Sequence, residues 1–404
     1  WQQALGSSLT AGDNLSLKAG QDITLQGSEA AAGGKTQVVA GGNVSLLADT
    51  TTNDTQLNAS SRTSTVSNSR REETLHTSAL SGDSGVTIIA GGDFLAEGAR
   101  VESAAGGIGL SAGQVVIKEA RQQLSESDSE QNKVDNTQSQ RQIDSASNIG
   151  VGSLLSARDD VTVIAREGDL TVQGSTIQSD KGTAGLRAAG DITLAASHDE
   201  HQRSEQGSSS SKGALSSSER VWQKEEHSST ASGSLVSGQE VVMLSGRDIS
   251  VAGSNIVATD DVFLTAGNNI TLGTAESTRQ SSSAEQTKTS GLSGTGGIGV
   301  SYGTNSLKLT ETENSVISTG STIGSTQGNV TLNAGNSLTV KGSDVLAGKD
   351  INLTAKEVSI LAADNQSEQT RTVEQKQSGL TLALSGAVGS ALNTAVSSGN
   401  DATT

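Results

Sequence analysis

The chain has 404 residues, with 27 basic against 44 acidic side chains (net −17 at pH 7), 48 glycines, and neither cysteine nor proline. That balance opposes nucleic-acid binding and offers no basic patch for anionic lipid; without cysteine there is no disulfide staple and no thiolate metal site. Hydrophobic residues make up 32% and aromatics only 1%, which argues against a sandwich core of large side chains, while the clustering of the apolar residues in phased runs argues against disorder.

In chain order, residues 11–48 hold AGDNLSLKAGQDITLQGS and AGGNVSLLA, with Asp22 and Asn43 21 residues apart. A polar insertion follows at 51–78. The phase returns over 79–119, where Asp93 and Gln114 are again 21 apart, and a second polar insertion covers 120–151. Residues 152–196 place Asp169 and Asp191 22 apart, before a third insertion at 197–232. The clearest block is 237–273, with alternating pairs Val241/Met243, Ile249/Val251, Val262/Leu264 and Ile270/Leu272. A fourth insertion spans 275–319. Residues 320–363 form the fifth block, followed by an insertion at 364–377 and a small-residue apolar segment with a tail at 379–404.

Period-two alternation of β-branched residues predicts short strands, and the bounding Gly, Asn and Asp residues suit tight corners. A strand pair this short cannot bury its own apolar face. Stacking the same 21-residue coil on itself supplies a continuous interior. The expected fold is all-β: a right-handed parallel β-helix with coils of about 21 residues, two strands per coil joined by a Gly-Ser step, and periodic polar insertions. Five blocks of two coils give about ten coils, a column on the order of 50 Å at roughly 4.8 Å per coil. Absent proline agrees with stacked strands that need every N–H. The insertions, rich in Ser, Thr, Gln and Glu, read either as disordered loops or as long hairpins hung from one edge. Their regular placement favours hairpins forming a ridge.

Several motifs carry no chemistry on this reading. Gly294, Gly296 and Gly299 form a literal G-x-G-x-x-G, but no helical periodicity follows, as a dinucleotide site would require. His198 and His201, with Asp199 and Glu200 between them, lack a clear further partner for Zn²⁺; His76 and His227 are isolated. The corner residues at 14, 43, 269 and 329 are asparagines spaced unlike a calcium roll, so they are expected to cap their own backbone in Asx turns. No catalytic, cofactor-binding or metal residue is assigned, and the chain is expected not to be an enzyme.

The pattern AGxDIxL followed by a Gly-Ser step resembles the haemagglutinin repeats of secreted bacterial two-partner exoproteins, the filamentous haemagglutinins and contact-dependent growth inhibition effectors. The insertions that end in Ser290-Gly291-Leu292 and Ser378-Gly379-Leu380 resemble the second, C-terminal repeat region of the inhibition effectors. The resemblance implies a secreted, cell-surface protein exported through an outer-membrane partner. It also implies a C-terminal toxin in cis, and a repeat module that helps that toxin cross a target cell's outer membrane, with residues from 379 starting a pre-toxin region. The alternative is a passive adhesin shaft. Repeat sequence within the first dozen residues is the expectation for a segment of something longer.

Overall fold

The computed structural model describes residues 1–294 and 299–383. Every regular element among them is a β-strand, and the short strands stack as a parallel β-helix. Val236 lies beside Ile256, Val241 beside Val262 and Ile249 beside Ile270, all in parallel register. Each coil therefore advances the chain by one repeat and hydrogen-bonds it to the repeats above and below.

Each coil has three strands rather than the expected two. In the central block these are Leu235–Gly238, Glu240–Ser245 and Ile249–Ala252, followed one coil later by Asn255–Ala258, Val262–Ala266 and the start of Asn269–Gly294. The first and second faces are ten-stranded parallel sheets. Strands of the third face belong to an 18-stranded sheet that also contains the insertions. The first-face strands offer one large apolar residue followed two positions on by a small one, as in Ile256/Ala258 and Ile323/Ser325. That is half the period-two signal of the other faces.

Inward residues of the three faces fill one continuous interior of Val, Ile, Leu and Ala, with Phe94 and Met243 as larger members. Val241, Met243, Val251, Ile256, Val262, Leu264, Ile270 and Leu272 are fully enclosed. A narrow column has room for one layer of such side chains per coil, which explains the scarcity of aromatics.

The corners are organised by ladders that run along the column. Between the second and third faces, the N–H of Asn43 donates to Asp22 Oδ1 (2.7 Å), that of Asp93 to Asn43 Oδ1 (2.8 Å), and that of Gln114 to Asp93 Oδ1 (3.0 Å). Asp191 and Asn269 repeat the pattern onto Asp169 and Asp248. These Asx side chains bond the backbone of the next coil rather than their own, so the expected Asx turns are replaced by inter-coil rungs. The reason is geometric: at a stacked corner the amide one coil away is presented edge-on within reach. Where carboxylates stack, Arg247 bridges Asp169 (2.8 Å) and Asp191 (3.0 Å).

The corner between the third and first faces alternates. In odd coils it turns through a left-handed glycine, Gly27, Gly98, Gly174, Gly253 or Gly342, with φ between +51° and +58°. In even coils the chain leaves the column there into an insertion. A buried serine starts the first-face strand on each return: the Oγ of Ser234 accepts from Ser175 N–H (3.3 Å) and donates to the carbonyls of Ala195 (2.7 Å) and Val172 (3.1 Å). Ser78, Ser153 and Ser321 are also buried and bond third-face carbonyls in the same way. The carbonyls of Leu47, Lys118, Ala195 and Gly273 each also accept the N–H of a left-handed glycine one coil back, so the serine hydroxyl supplies their second hydrogen bond.

Candidate functional site

What distinguishes the molecule is its set of insertions. They are ordered antiparallel hairpins: Asp49–Ser60 with Ser64–His76, Ala120–Val134 with Thr137–Val151, Ser197–Lys212 with Ser216–Ser232, and the outer part of Asn269–Gly294 with Gly299–Gly320. Gln366–Ala383 adds a ninth strand. Gly379–Ala383 thus continues this strand, whereas residues 384–404, the remainder of the segment expected to open a pre-toxin region, lie outside the described residues.

Separate hairpins on a ridge were expected; the structure shows one sheet. Neighbouring hairpins pair with each other, Leu124–Asn132 with Ser64–Glu72, Thr137–Asn148 with Glu200–Ser211, Ser216–Ser229 with Thr278–Gly291, and Gly299–Val316 with Gln366–Ala383. The result is a continuous fin of nine strands in sequential up-and-down order. Its rhythm follows from spacing. Two coils occupy about 9.6 Å of column, and a hairpin of two strands occupies the same distance, because both stack at roughly 4.8 Å. The fin lengthens toward the C-terminus: first strands of successive hairpins run 12, 15 and 16 residues, and the fourth hairpin returns over 22.

One fin face carries the ion pairs that cross from hairpin to hairpin. Arg141 Nε meets Glu205 at 3.0 Å, Arg220 is bidentate to Glu285 at 2.8 and 3.0 Å, and Arg279 reaches Glu226 at 2.6 Å. The hydrogen bond from Arg141, aided by its charge, holds the Glu205 carboxyl below the usual carboxylate range against the opposing effect of burial. Arg220 also lies over the Trp222 ring, 5.5 Å from its centroid, and that ring covers Gly207, where a β-carbon would collide with it.

The sequence-level candidates fall apart on this surface. His198 and His201 share the strand Ser197–Lys212 but stand three positions apart, so they face opposite sides of the fin. His198 Nε2 contacts the Glu276 carbonyl at 3.2 Å instead. Among the described residues no group of three His, Asp or Glu is placed to hold a metal ion. Of the glycine motif, Gly294 ends one fin strand and Gly299 begins the next; a strand follows it, not a helix, and Gly296 lies outside the described residues.

At the far end of the longer hairpins an apolar row was hidden from the sequence reading. Leu292 stands opposite Tyr302, which stands opposite Leu380, and Leu215 bonds Leu292 N–H from the other side. All four are exposed.

A model of the hemagglutinin repeat matches residues 2–69, 134–220, 213–379 and 300–404. The chain belongs to the hemagglutinin-repeat family. It is similar to a protein named Toxin CdiA from Yersinia pestis, 54% identical over 127 residues, which is 31% of this chain and 4% of the relative. A tRNA nuclease CdiA-2 from Burkholderia pseudomallei is 33% identical over 310 residues, 76% of this chain and 10% of that protein. A Toxin CdiA from Escherichia coli is 46% identical over 132 residues, 32% of this chain and 4% of the relative. The chain therefore spans a small part of the relatives it matches. No solved structure matches it.

Proposed function

We propose that this repeat module is a non-enzymatic delivery segment of a large secreted exoprotein, and that its fin engages the outer membrane of a target cell while the column serves as scaffold. The parent protein would be exported through an outer-membrane partner and would carry a toxin C-terminal to this module. The observation that carries the reading is the fin: nine sequential antiparallel strands in one sheet, lengthening toward the C-terminus and bearing an exposed apolar row near its far end. A sequential meander is the topology from which membrane barrels are built, and a passive spacer has no use for it. Names of the relatives as toxins and nucleases agree with a cargo elsewhere in the parent.

The column alone, with its unbroken core, would suffice for the alternative adhesin shaft. Deleting the four hairpins at their roots in the full-length parent separates the readings. A delivery module should still be displayed and still bind target cells, yet fail to intoxicate them. Unchanged intoxication by the hairpin-less protein would overturn the delivery role.

A further inference from the structure

On the fin face opposite the arginine–carboxylate pairs, three kinds of side chain are arranged in tiers. Opposite residues of an antiparallel sheet share a face, and residues two apart along a strand share it too. Among the residues whose side chains are described, the outermost tier is the apolar row Leu215, Leu292, Tyr302 and Leu380. The next is hydroxyl: Ser217, Ser290, Thr304 and Ser378 stand opposite one another, with the Ser217 and Ser290 hydroxyls 2.7 Å apart. The third tier contains Glu219, Lys288, Ser306 and Lys376, and two positions further in Lys308 stands opposite Glu374, so a carboxylate faces two of the three lysines. The same tiers appear twice in the sequence as Lys-x-Ser-Gly-Leu, at 288–292 and 376–380.

Both sides of the fin matter at this level. On the reverse face Gly291, Gly303 and Gly379 stand opposite one another, so no side chain projects there beside the leucines. A hollow of about 370 Å³ lies between the two Lys-x-Ser-Gly-Leu strands, bounded by residues of both faces, Ser290, Leu292 and Tyr302 of one and Thr289, Asn305 and Gln377 of the reverse among them. Lys288, Lys308 and Lys376 are exposed, and none makes an ion pair among the described residues.

We infer that this distal patch docks onto the surface of an anionic phospholipid bilayer, with Lys288, Lys308 and Lys376 meeting the headgroup phosphates. The inference rests on the membrane-engaging reading above and specifies its ligand. Four residues of strand separate the leucine and lysine tiers by about 13 Å, with hydroxyls between. That ordering follows a bilayer's own, from acyl chain through glycerol and ester groups to phosphate. Tyr302 sits at the depth where aromatic residues collect in membrane interfaces, and lysine stems reach from apolar contact to charge. The three lysines outnumber the two carboxylates that face them, a local excess of one positive charge within a chain of net −17, and a surface reads charge locally.

Co-sedimentation of the full chain with vesicles tests the inference, using phosphatidylcholine alone and phosphatidylcholine with phosphatidylglycerol. The wild type should bind the anionic vesicles more tightly, and high salt should remove the preference. Lys288→Gln with Lys376→Gln should weaken binding to anionic vesicles about 25-fold, at roughly fivefold per lysine. That double variant should leave the weaker binding to neutral vesicles intact, and Lys→Arg at both sites should restore the preference. Leu292→Ser with Leu380→Ser should weaken binding to both. Equal wild-type binding to the two vesicle types, or an unchanged preference in the glutamine variant, would overturn the lysine–phosphate contact while leaving membrane engagement standing. No wild-type binding to either would overturn both.

Discussion

The methyl group of Ala275 sits where a β-carbon on Gly253 would have to go. Gly253 turns the third-face corner at φ +56°, and Ala275 is the residue at which the next coil leaves for its hairpin. The same pairing recurs between Gly98 and Ala120 and between Gly174 and Ser197. A left-handed backbone disfavours any β-carbon by roughly 1–2 kcal/mol, and here the steric conflict adds to it. Gly253→Ala should therefore destabilise the column by about 2–4 kcal/mol, measured by urea denaturation. Moving the same substitution to exposed Gly12, which has open space around it, should have a far smaller effect.

Ser234 is the buried clasp at the root of the third hairpin. Ser234→Ala leaves the Ser175 N–H without its side-chain acceptor and takes a hydroxyl donor from the Val172 carbonyl and from the Ala195 carbonyl, which keeps the Gly174 N–H, a loss of about 1–3 kcal/mol. Hydrogen exchange should localise the effect, with faster exchange at the hairpin root and unchanged protection two coils away. Uniform loosening of the whole column would contradict this.

The link between Arg141 and Glu205 predicts an acid sensitivity with a definite sign. Because the folded-state Glu205 carboxyl titrates below its ordinary value of 4.5, its contribution is fully present above that pH and is lost as pH falls through the lowered value. Glu205→Gln should thus be less stable than wild type near neutrality, and the difference should shrink steadily below about pH 4.5. Denaturation midpoints of the two proteins across pH 2–7 supply the comparison.

Phe94 is the largest side chain in the column interior. Phe94→Ala should cost about 3–5 kcal/mol and Phe94→Leu much less, since leucine already fills the equivalent place in other coils. A calorimetric or urea measurement on both variants checks the ordering.

The column was legible because Val241/Met243 and Ile270/Leu272 write a full period-two signal between Gly and Asp corners. The first-face strands were not, since Ile256/Ala258 and Ile323/Ser325 pair one large residue with one that propensity counts as neutral. Asp22 and Asn43 were found as corner residues, but a side chain bonding its own turn and one bonding the next coil leave the same spacing of 21. The fin was harder still. Ser129, Gln142, Gln206 and Gln223 stand side by side on one face without apolar contrast to the other, so periodicity is silent there. The tiers at Lys288, Ser290 and Leu292 become a surface only when register sets them beside Lys376, Ser378 and Leu380, two strands away.

The equal rise of two coils and one hairpin constrains how such a protein can change length. Gain or loss of a whole block shifts column and fin by the same distance, and every seam between hairpins closes again. Gain or loss of a single coil offsets the two by one strand spacing, tearing the fin while leaving the column intact. The heritable unit of growth is thus the block of two coils with its hairpin, and recombination between blocks is the event this architecture tolerates.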